Sequence, residues 1–143
     1  MRVWPSGDDF VLRLDKGDDL MSSLIEFAVA NNSPANVITS GLGGLDQLTL
    51  GEFQTDIGEF KLEPYEGFFE ILNITGNIFE FDGAPKPHIH MIVRAENGKL
   101  LGGHVLSARV LIPIEMVIRR LHRDTVQRGF VEGCMADVIV ERK

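Results

Sequence analysis

The sequence predicts an α+β fold: a mainly antiparallel β-sheet with one clear helix near the N-terminus. Two observations carry this. One segment alone shows a strong helical stripe, and nearly everything after it is apolar and β-branched runs divided by turn residues. Residues 10–14 alternate weakly and read as a strand, and Asp15-Lys16-Gly17-Asp18 as a turn. Asp18 or Asp19 can cap the helix that follows, because a short carboxylate accepts from free backbone N–H groups at a helix start. Leu20, Leu24, Phe27 and Ala28 fall on one stripe, and Asn31-Asn32-Ser33-Pro34 ends the helix.

Residues 35–40 form a short strand, and Gly41-Leu42-Gly43-Gly44 reads as a flexible connection. That stretch is no phosphate cradle, since it lacks the Gly-x-Gly-x-x-Gly spacing and a strong helix after it. Residues 47–53 and 59–62 are the arms of a hairpin. Residues 68–81 are a strand in which Gly76 marks a bulge or bend. A loop over 82–87 leads to a strand over 88–96, an Asn97-Gly98 turn and a return strand from Lys99. Residues 106–121 are long and apolar. A period of two puts Val110, Ile112, Ile114, Met116 and Ile118 on one face, with helix as the competing reading. Pro113 places that strand at an edge or a bulge. A last strand is expected over 136–140.

With 143 residues the chain fits one domain, residues 1–143, and can bury a core without disulfides or metals as staples. The formal net charge of −7 repels phosphate backbones, which disfavours nucleic acid as a default partner. One cysteine, Cys134, excludes an internal disulfide and reads as a small buried hydrophobe. No secretory h-region and no membrane-length apolar run is present, so the expected compartment is the cytoplasm and no membrane partner is expected.

Three of the four histidines lie around one hairpin. His88 and His90 are two apart in a strand and share a face, while Ile89, Met91 and Val93 point to the core. Two imidazoles on a rigid strand suit a first-row divalent ion. His104 is on the return strand. A two-residue Asn97-Gly98 loop pairs Glu96 with Lys99, and hence Met91 with His104, which turns His104 to the wrong face. One extra residue repairs this. We therefore expect a bulge at Gly102-Gly103, or a longer turn of the same effect, setting His104 opposite Ile92 and diagonal to His90. Three imidazoles leave the fourth position of a tetrahedral zinc ion open for water or ligand, and a bound water can ionise near neutral pH. The bland alternative is three histidines paired with carboxylates or water. His122, among Arg119, Arg120 and Arg123, reads as a solvated side chain rather than a ligand. Glu115 faces away from the apolar set. It is an ordinary surface glutamate, a polar group supporting the metal, or a polar contact in an oligomer.

Three motifs together resemble the PPC family, the plant and prokaryote conserved domain also found in plant AT-hook nuclear proteins. They are Gly67-Phe68-Phe69-Glu70-Ile71-Leu72-Asn73-Ile74-Thr75-Gly76, Pro87-His88-Ile89-His90, and Gly98-Lys99-Leu100-Leu101-Gly102-Gly103-His104-Val105. The opening Arg13-Leu14-Asp15-Lys16-Gly17-Asp18-Asp19-Leu20 is similar too, so the likeness spans about residues 10–121. It implies an α+β sheet packed with helices, a homotrimer, and a zinc-like site on His88, His90 and His104. It also maps an acidic family residue onto Glu115. Plant members carry an Arg-Gly-Arg-Pro AT-hook core, which this chain lacks. Prokaryotic members are often labelled DNA-binding by transfer from the plant proteins.

Three functions compete. The favoured one is a metal-binding (zinc, or another first-row divalent ion), homotrimeric PPC-type module that takes a small-molecule or protein ligand. The second is a DNA-associated transcriptional regulator, resting on the family label and on Arg119, Arg120, Arg123 and Arg128, a cluster that equally reads as a solvated patch or an interface. The third is a zinc hydrolase or lyase, which needs a general base near the metal; Glu115 is the one candidate.

Overall fold

The computed structural model describes residues 1–121 and 126–142. Its elements in chain order are β1 (Arg2–Ser6), β2 (Asp9–Leu14), α1 (Leu20–Ala30), β3 (Ala35–Gln54), β4 (Glu59–Phe81), β5 (Ala84–Ala95), β6 (Leu100–Arg120), β7 (Val126–Gly129) and β8 (Val138–Glu141). The fold is the mainly antiparallel sheet with an early helix that the pattern predicts. His122 and Arg123 lie outside the described residues.

Asp19 caps α1: its carboxylate accepts from the Ser22 backbone N–H at 2.8 Å and from the Ser22 hydroxyl at 2.7 Å. Asp18, the alternative cap, instead accepts from the Asp15 N–H and the N-terminal amine. Leu20, Leu24, Phe27 and Ala28 are buried along the expected stripe, and Phe27 meets Phe10 of β2 edge to face. No helix among the described residues is long and apolar enough to cross a membrane.

The main sheet runs β1-β2-β6-β3-β4-β5, and β5 also pairs with β6. One edge of β6 serves two partners: Ile114–Arg119 pair with β2, and Leu100–His104 pair with β5. The pairing β6–β3–β4–β5–β6 therefore closes on itself, which removes free edges from those strands over the closed stretch. Ile38, Leu45, Leu48, Ile74, Ile89, Val105 and Ile118 are among the buried core.

Several expectations need correction. Gly41–Gly44 is no flexible connection but the interior of β3. Its glycines answer close strand contacts: a Cβ on Gly41 would sit 2.2 Å from Ile74 Cγ2, and one on Gly43 would sit 2.7 Å from the Pro113 carbonyl oxygen. The expected hairpin of 47–53 and 59–62 forms, with Gln54 opposite Glu59, as the tip of two much longer strands. Residues 106–120 are strand rather than helix, and Pro113 sits at a bulge, where the β3 register shifts between Leu42 and Gly44. That irregularity exposes Ile112, which simple alternation placed on the buried face. Cys134 is exposed, not buried: it lies in a turn between β7 and β8, with its N–H donating to Val131 O, and no strand turns it toward the core.

Candidate metal centre

The β5–β6 hairpin sets the geometry. Ala95 N–H donates to Lys99 O, and Gly98 N–H donates to Ala95 O, both at 2.8 Å. Glu96, Asn97 and Gly98 thus form a three-residue loop, with Gly98 at φ 81 in the left-handed position that such loops require. Pairing then runs unbroken from Arg94/Leu100 to His90/His104. The expected bulge at Gly102-Gly103 is absent, because the one-residue change of register falls in the turn. Its direction is also the reverse of the one anticipated, so His104 lies directly opposite His90 rather than opposite Ile92. The result for the site is the same: both rings share a face.

β4 fixes the other side. Thr75, Gly76 and Asn77 oppose His90, Ile89 and His88. Gly76 has φ 151, and a Cβ there would lie 2.1 Å from the His88 carbonyl oxygen. Glycine therefore lets β4 and β5 approach where the two histidines are displayed. Ile89, Met91 and Val93 are buried beneath, as alternation requires.

The three imidazoles converge. Their ring centroids are 5.3 Å (His88–His90), 4.9 Å (His88–His104) and 5.3 Å (His90–His104) apart. One ring nitrogen from each lies within 4.8 Å of the others, and His88 Nε2 and His90 Nε2 are 3.2 Å apart. Two nitrogens on one tetrahedral zinc ion are separated by about 3.3 Å, from zinc–nitrogen bonds of about 2.0–2.1 Å. One pair already matches that spacing. Phe60, from the β3–β4 tip, stacks on His104 at 4.5 Å with 18° between the planes, fixing that ring from behind. Beside His90 a groove of about 240 Å³ runs along Asn73, Thr75 and Ile92 over Gly102 and Gly103.

Burial, and then the neighbouring charges of Arg128 and His90, hold His88 below its ordinary pKa, against a smaller opposing pull from Asp137. His104 is pushed down to about 4, by burial first and then by His88, His90 and Arg128. Both rings therefore favour the neutral form that cation binding requires; at His88, whose Nδ1 accepts from Arg128, the ring proton sits on Nε2, and an ion bound there displaces it. Nitrogen donors of this kind fit zinc, and also cobalt, nickel and copper.

Sequence reasoning missed the tail. Arg128 of β7 is 6% exposed. Its Nη1 donates to Asp137 Oδ2 at 2.9 Å and to the Asp137 carbonyl at 3.2 Å. Its Nη2 donates to Asn77 Oδ1 at 3.3 Å and to His88 Nδ1. Asp137 also accepts from Lys86 at 2.8 Å. Burial pushes the Asp137 carboxyl up, but these hydrogen bonds outweigh it and leave it below the usual range. No local pattern around Arg128 announced this role; only the folded position of the tail does.

Other candidates fall elsewhere. Glu115 pairs with Arg13 and Leu42, eleven residues from His104 along β6, or roughly 35 Å of strand path at ~3.3 Å per residue. No carboxylate joins the three histidines among the described residues. Glu115 instead lines a groove with Val11, Leu42, Leu72 and Val117. The described members of the arginine cluster pair with groups of this chain, Arg119 while still exposed. Arg119 grips Asp9 with two hydrogen bonds, Arg120 donates to Ser33 Oγ and Asn31 O, and Arg128 is buried.

The sequence profile of the Plants and Prokaryotes Conserved (PCC) domain matches residues 1–122. A metal-containing protein from Archaeoglobus fulgidus shares 29% identity, with TM-score 0.86 over 99% of this chain and 100% of that one. A plant- and prokaryote-conserved protein from Pyrococcus horikoshii shares 23% identity, with TM-score 0.84 over 96% and 94%. A protein from Bacteroides thetaiotaomicron, described as a candidate DNA-binding protein, shares 21% identity, with TM-score 0.91 over 98% and 96%. No curated protein matches the chain at the sequence level.

Proposed function

Because this chain belongs to the Plants and Prokaryotes Conserved domain family, we propose that it works as a metal-binding module of that family. His88, His90 and His104 hold one divalent ion, zinc foremost, and leave a fourth coordination position for a small molecule or a protein group. The observation that carries this reading is the convergence of three imidazole nitrogens within 4.8 Å. The low proton affinity of His88 and His104, and a structural relative called metal-containing, support it.

The module acts as a homotrimer, as its family resemblance implies. Val11, Leu42 and Leu72, all exposed, make an apolar face suited to contact between copies, with Glu115 as a polar contact there. Among the described residues no carboxylate joins the three histidines, so the hydrolase or lyase reading has no general base among them.

Association with DNA is the second reading, favoured by the description of a structural relative. The pairing of Arg119 and Arg120, the burial of Arg128 and the net charge of −7 weigh against a phosphate-binding surface.

Metal analysis of purified protein tests the favoured reading. One first-row ion per chain is expected, and His104→Ala should lose it while keeping its fold. Metal content unchanged by that substitution would overturn the site. For DNA, binding measured across salt concentrations should show no steep dependence; a steep slope would favour the second reading.

A further inference from the structure

The β7–β8 hairpin forms a small sheet of its own. Among the described residues no backbone hydrogen bond ties it to the main sheet. Side chains hold it instead. Arg128 donates to His88 Nδ1 and to Asn77 Oδ1, and Lys86 donates to Asp137. Arg142 pairs with Glu80 at 2.8 Å, and the Phe130 ring meets Phe81 edge to face at 5.6 Å. Phe130, Val131, Met135 and Ile139 stay exposed, so the hairpin buries little apolar surface. A two-stranded hairpin is marginal alone, and elements with few buried apolar contacts open at the lowest free-energy cost.

One of these contacts falls on a histidine of the cluster. His88 Nδ1 accepts from Arg128, which leaves the ring proton on Nε2, the atom facing His90. An ion at Nε2 displaces that proton. A metal-bound imidazole carries its N–H on the other nitrogen and donates it to a carboxylate, a carbonyl or water. At His88 that N–H would point at a guanidinium, which has five donors and no acceptor. Donor then faces donor, and a cation faces a ring that carries a divalent charge. Arg128 has little room to turn aside. It is 6% exposed and its Nε is buried, so the guanidinium leaves with the strand that bears it.

We propose that an ion on the three histidines and the docked β7–β8 hairpin exclude one another: metal at His88 Nε2 drives Arg128 off Nδ1, and the hairpin comes away from β4 and β5. This rests on the metal-binding reading above and concerns the regulation of that site. The hairpin lies beyond residue 122, where the family match ends, so the control belongs to a segment outside the shared domain. Linkage makes the effect reciprocal. Docking weakens metal binding by the factor by which metal loosens the hairpin.

Hydrogen exchange on the full chain, with and without zinc chloride, is the first test. Zinc should slow amide exchange in β5 around the histidines and speed it across 126–129 and 138–141. A hairpin that merely props the site would slow with it. The second test is zinc affinity. Arg128→Gln can turn an amide oxygen toward the Nδ1–H and should bind zinc about tenfold or more tighter, the worth of the charge-assisted hydrogen bond otherwise broken. Loss of a positive charge also favours zinc, so Phe130→Ala is the neutral companion. It keeps every charge and the His88 contact and loosens only the hairpin. It should tighten zinc about two- to tenfold, from the worth of an aromatic pair. If Arg128→Gln misfolds, Phe130→Ala and the exchange data still decide. Hairpin exchange slowed or unchanged by bound zinc, or zinc affinity lowered or unchanged in folded Phe130→Ala, would overturn the proposal alone. Failure of the unaltered chain to bind zinc would overturn the metal-binding reading and this inference with it.

Discussion

Adding one methyl group at Gly76 should damage both the fold and the histidine cluster. At Gly76→Ala the new Cβ lies 2.1 Å from the His88 carbonyl oxygen and 3.0 Å from the His88 carbonyl carbon and Ile89 Cα. A carbon and a carbonyl oxygen sit no closer than about 3.3 Å in ordinary contact, so β4 and β5 must part by about 1 Å. The neighbours are backbone, with no flexible side chain to swing away. The φ of +151° adds backbone strain, worth about 1–3 kcal/mol. Overpacking adds about 1–3 kcal/mol more. The total, about 2–6 kcal/mol, is a large part of the stability of a typical domain. Gly58→Ala is the control: its φ is +71°, and an added Cβ meets nothing within 4 Å, so only the left-handed backbone cost of about 1–2 kcal/mol applies. Urea unfolding should separate the two variants by at least about 1 kcal/mol, from the overpacking difference. Because the clash falls on His88, folded Gly76→Ala should also bind zinc at least about tenfold more weakly, a 1.4 kcal/mol effect, with Gly58→Ala unchanged. Two variants that unfold and bind alike would refute the claim that this close approach builds the site.

Other expectations follow from the same geometry. His104 is held down to about 4 in the folded chain, against an unfolded value near 6.5, so the unfolded state binds the extra proton between those limits. Metal-free protein should therefore keep this contribution above about pH 6.5 and lose it as pH falls toward 4; the urea midpoint of His104→Gln should fall less over that window. Phe60→Ala removes the ring stacked on His104 and should weaken zinc binding about two- to tenfold, from the 0.5–1.5 kcal/mol typical of such pairs, as read by competition with a chelating dye. Leu42→Asp puts a charge on the exposed apolar face; light scattering should show a trimer becoming monomer with metal content intact, and an unchanged mass would remove that face from the assembly.

Much of the site was legible because strand alternation is a strict rule. His88 and His90 had to share a face once Ile89, Met91 and Val93 were buried. His104 was harder. Its side depends on a loop count, and Asn97-Gly98 serves a two-residue or a three-residue turn equally well; the left-handed Gly98 decided it. Gly41 and Gly43 looked like flexibility because their close contacts, Ile74 and Pro113, lie on strands distant in sequence. Glu115 shares a strand with His104, yet the length of β6 keeps them apart. Arg128 and Asp137 were invisible for a related reason. The tail has no strong period, and its contacts with Asn77 and His88 arise only after β4 and β5 have paired.

X-ray absorption at the zinc edge on reconstituted protein bears most directly on the central claim. Three histidine ligands predict a first shell of three imidazole nitrogens at about 2.0–2.1 Å plus one oxygen neighbour, with one imidazole lost in His104→Ala. A spectrum dominated by oxygen or sulfur, or one that the substitution leaves untouched, would contradict it.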